Sequence, residues 1–252
     1  MRLRAPRWSR LGPPALALLA VLTFAASAGA AYQGSVYANR TAFSTCDGTG
    51  STIPTKLRAL ATSGFQYLGY STSAFDSVNF SKSRVLSRVA ADAGFYVFSH
   101  GDHYYAGWGF RVDNGSCSQA VVTGNEIRAK RINMYGWLPT ANLVIASTCH
   151  LGEAASTFPD AFGIARQKST PAGGNYQGRR FFLGYVGTAW TIDMLAFETA
   201  FWARVKTGHN LGEAFDYARR TVRMTYATVP NWYGTYLYSG VPWPPAPCTN
   251  CE

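Results

Sequence analysis

The chain has 252 residues, of which 47% are hydrophobic, 15% aromatic and only 14% charged, and it carries a formal net charge of +10 at neutral pH. This length and apolar content fit one domain with a sizeable core. No run of lysine or arginine exceeds two residues, as at Arg179-Arg180 and Arg219-Arg220. A nucleic-acid partner is therefore not expected.

The first thirty residues have the pattern of a secretory signal peptide. Basic residues over 2–10 precede an apolar run over 15–26, and small residues follow up to Ala30. The apolar run is shorter than the roughly 20 residues that a membrane span needs. We therefore predict a signal peptide over 1–30, a secreted mature protein of net charge about +6, and no membrane association after cleavage.

The cysteines support an oxidising compartment. Five are present, at Cys46, Cys117, Cys149, Cys248 and Cys251, so at least one thiol stays unpaired within the chain. Cys46 and Cys117 lie in polar, glycine- and serine-rich loops that suit a disulfide, although the sequence does not fix the connectivity. Cys149 is the cysteine that we expect to be free.

A single α/β domain is predicted over 31–240, followed by a proline- and cysteine-containing tail over 241–252. In chain order the pattern predicts a helix over 52–61, strand 65–70, helix 81–91, strands 94–99 and 142–147, helix 153–162, strand 181–186, and helices 192–206 and 211–224. Alternating strands and helices predict a mostly parallel sheet flanked by helices on both faces. Gly208 and Asn210 are the expected caps between the last two helices.

Two of these strands end at residues with catalytic chemistry. Strand 94–99 leads into His100, and strand 142–147 leads into Thr148 and Cys149. Because ligands of open α/β sheets bind at the carboxyl ends of the strands, neighbouring strands would present the imidazole and the thiol to one crevice. An imidazole can take the proton of a thiol that attacks a carbonyl group. The pair therefore predicts a cysteine hydrolase.

The same segments carry a resemblance to a known family. Phe98-Ser99-His100-Gly101 and Ala146-Ser147-Thr148-Cys149-His150-Leu151-Gly152 resemble the His-Gly and Cys motifs of the caspase-like (clan CD) cysteine peptidases, which include caspases, legumains, gingipains and bacterial CHAT domains. The segment 207–214 is similar to that family's link into its last helix. The resemblance implies a caspase-haemoglobinase-like fold, a peptide or protein substrate and no cofactor, with a requirement for Ca2+ left open.

The resemblance also implies roles for single residues. It makes His100 the general base and Cys149 the nucleophile, and it places the backbone amides of Gly101 and Cys149 as donors to the oxyanion. In that family the loop after the third strand helps to shape the primary pocket. Here that implies Trp190 as a wall and Asp193 as a partner of a basic side chain; alternatively, Trp190 packs in the core and Asp193 caps the following helix.

Three alternatives remain open on the sequence. Asp102 either orients the His100 imidazole or caps its local turn. The segment His100-Gly101-Asp102-His103 looks like part of a metallo-β-lactamase-type motif, so a zinc-dependent hydrolase using His100, His103 and Cys149 is a second reading. A catalytically inactive, secreted binding module that recognises partners through the aromatic loop 103–109 is the third.

Overall fold

The structure, a computed structural model, describes residues 32–104, 107–131, 141–169 and 180–240, so the predicted signal peptide and the tail over 241–252 lie outside it. Its strands are β1 (Gln33–Ala38), β2 (Ser71–Asp76), β3 (Gly94–Phe98), β4 (Gly101–Asp102), β5 (Gly109–Arg111), β6 (Val121–Thr123), β7 (Leu143–Ser147), β8 (Lys168–Ser169), β9 (Phe181–Val186) and β10 (Val229–Thr235). Its α-helices are α1 (Thr52–Tyr67), α2 (Lys82–Arg88), α3 (Gly124–Arg131), α4 (Thr191–Val205) and α5 (Leu211–Thr221).

Seven strands form one central sheet in the order β2-β1-β3-β7-β9-β10-β8. The pairs from β2 to β9 are parallel, whereas β10 runs antiparallel to β9. Apolar clusters cover both faces, one with side chains of α1, α4 and α5, the other with side chains of α2 and α3. The predicted α/β class, with a mostly parallel sheet between helices, is confirmed.

Burial on both faces explains the continuous apolar runs of the central strands. Every residue of β3 and of β7 is buried. Along β3, Tyr96 and Phe98 contribute to the α1, α4 and α5 cluster, whereas Phe95 and Val97 contribute to the other. The predicted strands at these two places are confirmed to within one residue.

The predicted strand over 65–70 is wrong. Residues 65–67 form the last turn of α1, and the neighbouring strand begins only at Ser71. Leu57, Ala61 and Phe65 are spaced by four residues and are buried together, so the helical face continues past its predicted end. Gly69, at φ +89°, then reverses the chain in a conformation that glycine adopts without steric cost.

The predicted helix over 153–162 is also wrong. Only a short 3₁₀ turn, Pro159–Phe162, is present there. The Ser156 hydroxyl accepts a hydrogen bond from the Phe158 amide, which diverts that donor from a helical bond. Conversely, β1 was not predicted, because its sequence Gln-Gly-Ser-Val-Tyr-Ala lacks a long apolar run, although it lies between β2 and β3.

The predicted caps of the last two helices are confirmed. The Asn210 side chain accepts a hydrogen bond from the Glu213 amide at 2.9 Å, which satisfies a free donor at the start of α5. Gly208 has φ +86°, and its amide donates to the Val205 carbonyl at the end of α4. None of the helices in the described ranges combines the length and apolarity that a membrane span requires.

The register of the two central strands sets up the site. β3 and β7 are adjacent and parallel, with Phe98 opposite Ser147. His100 and Cys149 each follow two residues later, so both leave the sheet at the same edge. A small antiparallel sheet of β4, β5 and β6 begins immediately after His100.

Candidate active site

A cavity at this edge of the sheet brings the predicted pair together. It has a volume of about 260 Å³, and both His100 and Cys149 line it. Strand ends supply these two residues, the segment after β1 supplies one side, and the segment between β9 and α4 supplies the other. The other lining residues include Phe43, Asp47, Phe98, Ala189, Trp190 and Met194.

Cys149 is a free, partly buried thiol, as predicted. The amide of Ala189 donates a hydrogen bond to its Sγ at 3.4 Å, and the thiol lies 3.7 Å from the Ala189 carbonyl oxygen. Burial raises the pKa of the Cys149 thiol; the backbone amides of Ala189, Cys149 and Gly101 lower it, and the charge of Asp102 raises it. The net direction is upward, so the thiol is protonated at neutral pH and needs a base to react.

His100 is held from two sides. Its Nε2 lies 2.8 Å from Oδ2 of Asp47, and the Phe43 ring stacks on the imidazole with centroids 4.6 Å apart. A carboxylate in this position fixes the tautomer and orientation of an imidazole. With Nε2 engaged by Asp47, Nδ1 is the nitrogen left for exchange with another group.

Asp47 was missed by the sequence analysis, which considered Asp102 instead. Asp47 is 53 positions before His100 and follows the π-helical turn Ala42–Cys46. Nothing in the local sequence Cys-Asp-Gly-Thr-Gly distinguishes it from an ordinary loop acid. The neighbouring Cys46, which suits a disulfide, is the only feature of the local sequence that indicates a fixed loop.

The loop that carries Asp47 is anchored at several points. Cys46 forms a disulfide with Cys117. The buried carboxylate of Asp113 accepts hydrogen bonds from the amides of Arg40 and Thr41, at 2.8 and 3.0 Å. The segment after β1 is therefore tied to the segment after β5, and the position of Asp47 depends on contacts between parts of the chain about 70 residues apart.

Gly101 and Asp102 are placed differently from one another. A Cβ atom at Gly101 would overlap the carbonyl oxygen of Cys149 and lie 2.8 Å from the Thr148 Cβ, so only glycine fits this close approach. Asp102 accepts a hydrogen bond from the amide of Tyr104 at 2.8 Å, which is the local turn cap of the two predicted alternatives. Asp102 therefore affects Cys149 through its charge, and it is Asp47, not Asp102, that pairs with His100.

Trp190 and Asp193, both predicted to shape the pocket, have different surroundings. Trp190 is 51% exposed and lines the cavity, so it is not a core residue. Asp193 is 1% exposed, and its two oxygens accept hydrogen bonds from the amides of Thr225 and Tyr226 at 2.7 and 2.9 Å. These amides lower the pKa of Asp193 against the opposing effect of burial. The carboxylate thus holds the segment after α5; it is neither among the cavity-lining residues nor a cap of its own helix.

The remaining histidines near the site form a second cluster. The rings of His103 and His150 lie 4.4 Å apart, and Nδ1 of His150 is 2.5 Å from Oε1 of Glu153. His150 has φ +66°, an uncommon conformation for a residue other than glycine that brings strain to the position after Cys149. Across the described ranges, no three His, Cys, Asp or Glu side chains are grouped as a metal site would require, so the zinc reading finds no ligand set there.

A buried carboxyl network lies beneath the strand that leads to Cys149. Glu198 is fully buried; its oxygens accept hydrogen bonds from the hydroxyls of Tyr96 at 2.9 Å, of Tyr185 at 3.2 Å, and of Ser147. Burial raises the pKa of Glu198 to about 7, although the three hydroxyls oppose it. The network joins β3, β7, β9 and α4.

Comparisons with known proteins add little to this geometry. No protein-family model matches the chain, and no curated protein matches it. Solved structures do match, among them the crystal structure of protein GSU0716 from Geobacter sulfurreducens, at 9% identity over 82% of this chain and 96% of that chain, with a TM-score of 0.48. Any functional assignment therefore rests on the residues of the site itself.

Proposed function

We propose that this protein is a secreted cysteine peptidase that hydrolyses peptide bonds with Cys149 as nucleophile and His100 as general base. One observation carries the proposal: the free thiol and the carboxylate-bound imidazole line one cavity at the carboxyl ends of adjacent parallel strands. The predicted signal peptide and the Cys46–Cys117 disulfide support secretion, because disulfides persist in oxidising compartments. The resemblance to caspase-like peptidases supports the same roles.

The chemistry follows from the surroundings of the thiol. Because burial keeps Cys149 protonated, Nδ1 of His100 takes the thiol proton while Sγ bonds to the carbonyl carbon of the substrate. Asp47 stabilises the imidazolium that forms. The imidazolium then protonates the leaving amine, the carbon–nitrogen bond breaks and a thioester remains. His100 next activates a water molecule, which releases the acid and restores the thiol.

Backbone amides supply the remaining charge stabilisation. The tetrahedral intermediate places negative charge on the carbonyl oxygen, and we assign the amides of Gly101 and Cys149 to that oxygen. Both amides already favour negative charge at Sγ, so they are directed at the reacting region. Fixed amide donors of this kind contribute about 100-fold or more to the rate in other hydrolases.

The test is mass-spectrometric profiling of a diverse peptide mixture incubated with the mature protein under conditions that leave the Cys46–Cys117 disulfide intact. We expect cleavage by the wild type and none by Cys149→Ala. Asp47→Asn is expected to lower kcat/KM by at least about tenfold, with Thr45→Ala, an exposed residue of the same turn, as the matched control. Cleavage that persists in Cys149→Ala would refute the proposal.

The binding-module alternative is favoured by one feature of the site. The aromatic side chain of Trp190 is 51% exposed at the cavity that holds a thiol whose pKa is raised, and Tyr104, whose ring packs on His103, is 82% exposed. Exposed aromatic residues are typical of recognition surfaces. Absence of any Cys149-dependent cleavage, together with no alkylation of Cys149 by iodoacetamide, would favour this module over the peptidase.

A further inference from the structure

The walls of the cavity beside Cys149 are mainly apolar. Phe43, Phe98 and Met194 contribute buried side chains, Ala189 lies next to the thiol, and Trp190 forms the exposed side. The volume, about 260 Å³, is below the roughly 300–1,000 Å³ of pockets that hold whole drug-sized ligands. A volume of this size is enough to accommodate one large side chain.

Building on the proposed peptidase function, we propose that this pocket selects substrates with an apolar, preferably aromatic, side chain on the residue directly before the scissile bond. The pocket shares its lining with His100 and Cys149. A side chain seated in it would lie beside the thiol, as the side chain of the residue whose carbonyl carbon is attacked must.

The acids near the pocket already have hydrogen-bond partners within the protein. Asp193 is buried and saturated by the amides of Thr225 and Tyr226. Asp47 lines the cavity, but its Oδ2 is engaged by His100 at 2.8 Å. A lysine or arginine side chain would have to give up its hydration and share the Asp47 carboxylate with His100, which is less favourable than pairing with a carboxylate of its own.

Asp193 instead supports the aromatic wall. By binding the amide of Tyr226, it fixes the segment whose Tyr226 ring packs on Trp190, with centroids 4.7 Å apart. The amide of Trp190 also donates to the hydroxyl of Thr228 in the same segment, at 3.0 Å. Trp190 is thus held in place from one side, while the rest of its indole ring is exposed to the cavity. A fixed, half-exposed aromatic face of this kind packs well against another aromatic ring.

A matched peptide series tests the preference. Peptides that differ only at the residue before the scissile bond, with Phe, Leu, Arg or Asp there, are compared by kcat/KM. We expect Phe to exceed Arg and Asp by at least tenfold, and Trp190→Ala to reduce cleavage after Phe by about tenfold or more. Ile192→Ala, an exposed neighbour outside the cavity, is expected to leave all rates unchanged. Cysteine-dependent cleavage that is fastest after Arg or Asp would overturn the inference while supporting the peptidase.

A binding measurement on an inactive variant distinguishes the pocket assignment from the peptidase function. In Cys149→Ala, N-acetyl-phenylalanine amide is expected to shift the NMR signal of the Trp190 indole N–H, assigned with Trp190→Phe, at concentrations where N-acetyl-arginine amide does not. Selective binding of the phenylalanine probe supports the pocket assignment even if no peptide is cleaved. Equal shifts with both probes, or a larger shift with the arginine probe, would overturn it.

Discussion

Replacing Glu198 by glutamine is expected to change how the stability of this protein depends on pH. The carboxyl group is fully buried and surrounded by the hydroxyls of Tyr96, Ser147 and Tyr185, and burial raises its pKa to about 7. In the unfolded chain the group returns to its ordinary pKa of 4.5. Between these values the folded protein holds one proton that the unfolded chain has released.

The sign and size of this pH dependence follow from the difference between the folded and unfolded pKa values of Glu198. Because the folded pKa is above the unfolded one, the contribution of Glu198 to stability is fully present below about pH 4.5 and is lost as the pH rises to about 7. One pKa unit corresponds to 1.36 kcal/mol, so the total loss is about 3 kcal/mol. Above pH 7 the carboxylate is charged in both states, and the contribution stays constant.

Urea denaturation at pH 5 and pH 7.5, with the disulfide intact, measures this effect. The fall in the free energy of unfolding between the two pH values is expected to be about 2 to 3 kcal/mol smaller in Glu198→Gln than in the wild type. Asp160→Asn is the control, because that carboxylate is only partly buried and its partner is Arg166 rather than a histidine; its pH dependence is expected to stay close to that of the wild type. Parallel pH profiles for Glu198→Gln and wild type would show that Glu198 is already ionised in the fold and would refute the reasoning.

Three further changes have defined outcomes. Asp102→Asn is expected to lower the pKa of the Cys149 thiol, because the carboxylate charge raises it, and pH-dependent alkylation by iodoacetamide measures this; an unchanged or higher pKa contradicts it. Gly101→Ala is expected to cost about 1–3 kcal/mol, because its Cβ overlaps the Cys149 carbonyl; wild-type stability in urea would show that the backbones separate freely. Replacing both Cys46 and Cys117 by serine is expected to remove about 4 kcal/mol of stability, given their separation of 71 residues, with no further loss on adding reductant; an unchanged urea midpoint would count against this.

The sequence was most informative where local pattern and tertiary environment agree. The apolar runs of β3 and β7 predicted buried parallel strands, and His100 and Cys149 follow them closely, so their position on one cavity was predictable. It was least informative where a short segment is helical only because of its contacts. Residues 65–67 have aromatic content typical of a strand, but Phe65 packs with the helical face of α1.

The carboxylates show the same limit at the site. Asp102 is close to His100 in sequence, yet it caps a turn, whereas the distant Asp47 reaches the imidazole because a disulfide and buried hydrogen bonds bring its loop there. Asp193 lies in the segment expected to form the pocket, yet its side chain turns to the amides of residues 225 and 226. Which acid faces which partner depends on contacts between distant segments, and spacing along the chain does not encode them.

The sequence by itself determined the α/β class and the strand ends that carry the thiol and the imidazole, because burial on both faces of a parallel sheet imposes a pattern that is local in the chain. The odd number of cysteines separately indicated a free thiol. Only the tertiary structure decided the partner of His100, the apolar character of the cavity and the supporting role of Asp193. These depend on side-chain directions and on loops held by long-range contacts, whose energies favour one arrangement only after the chain has folded.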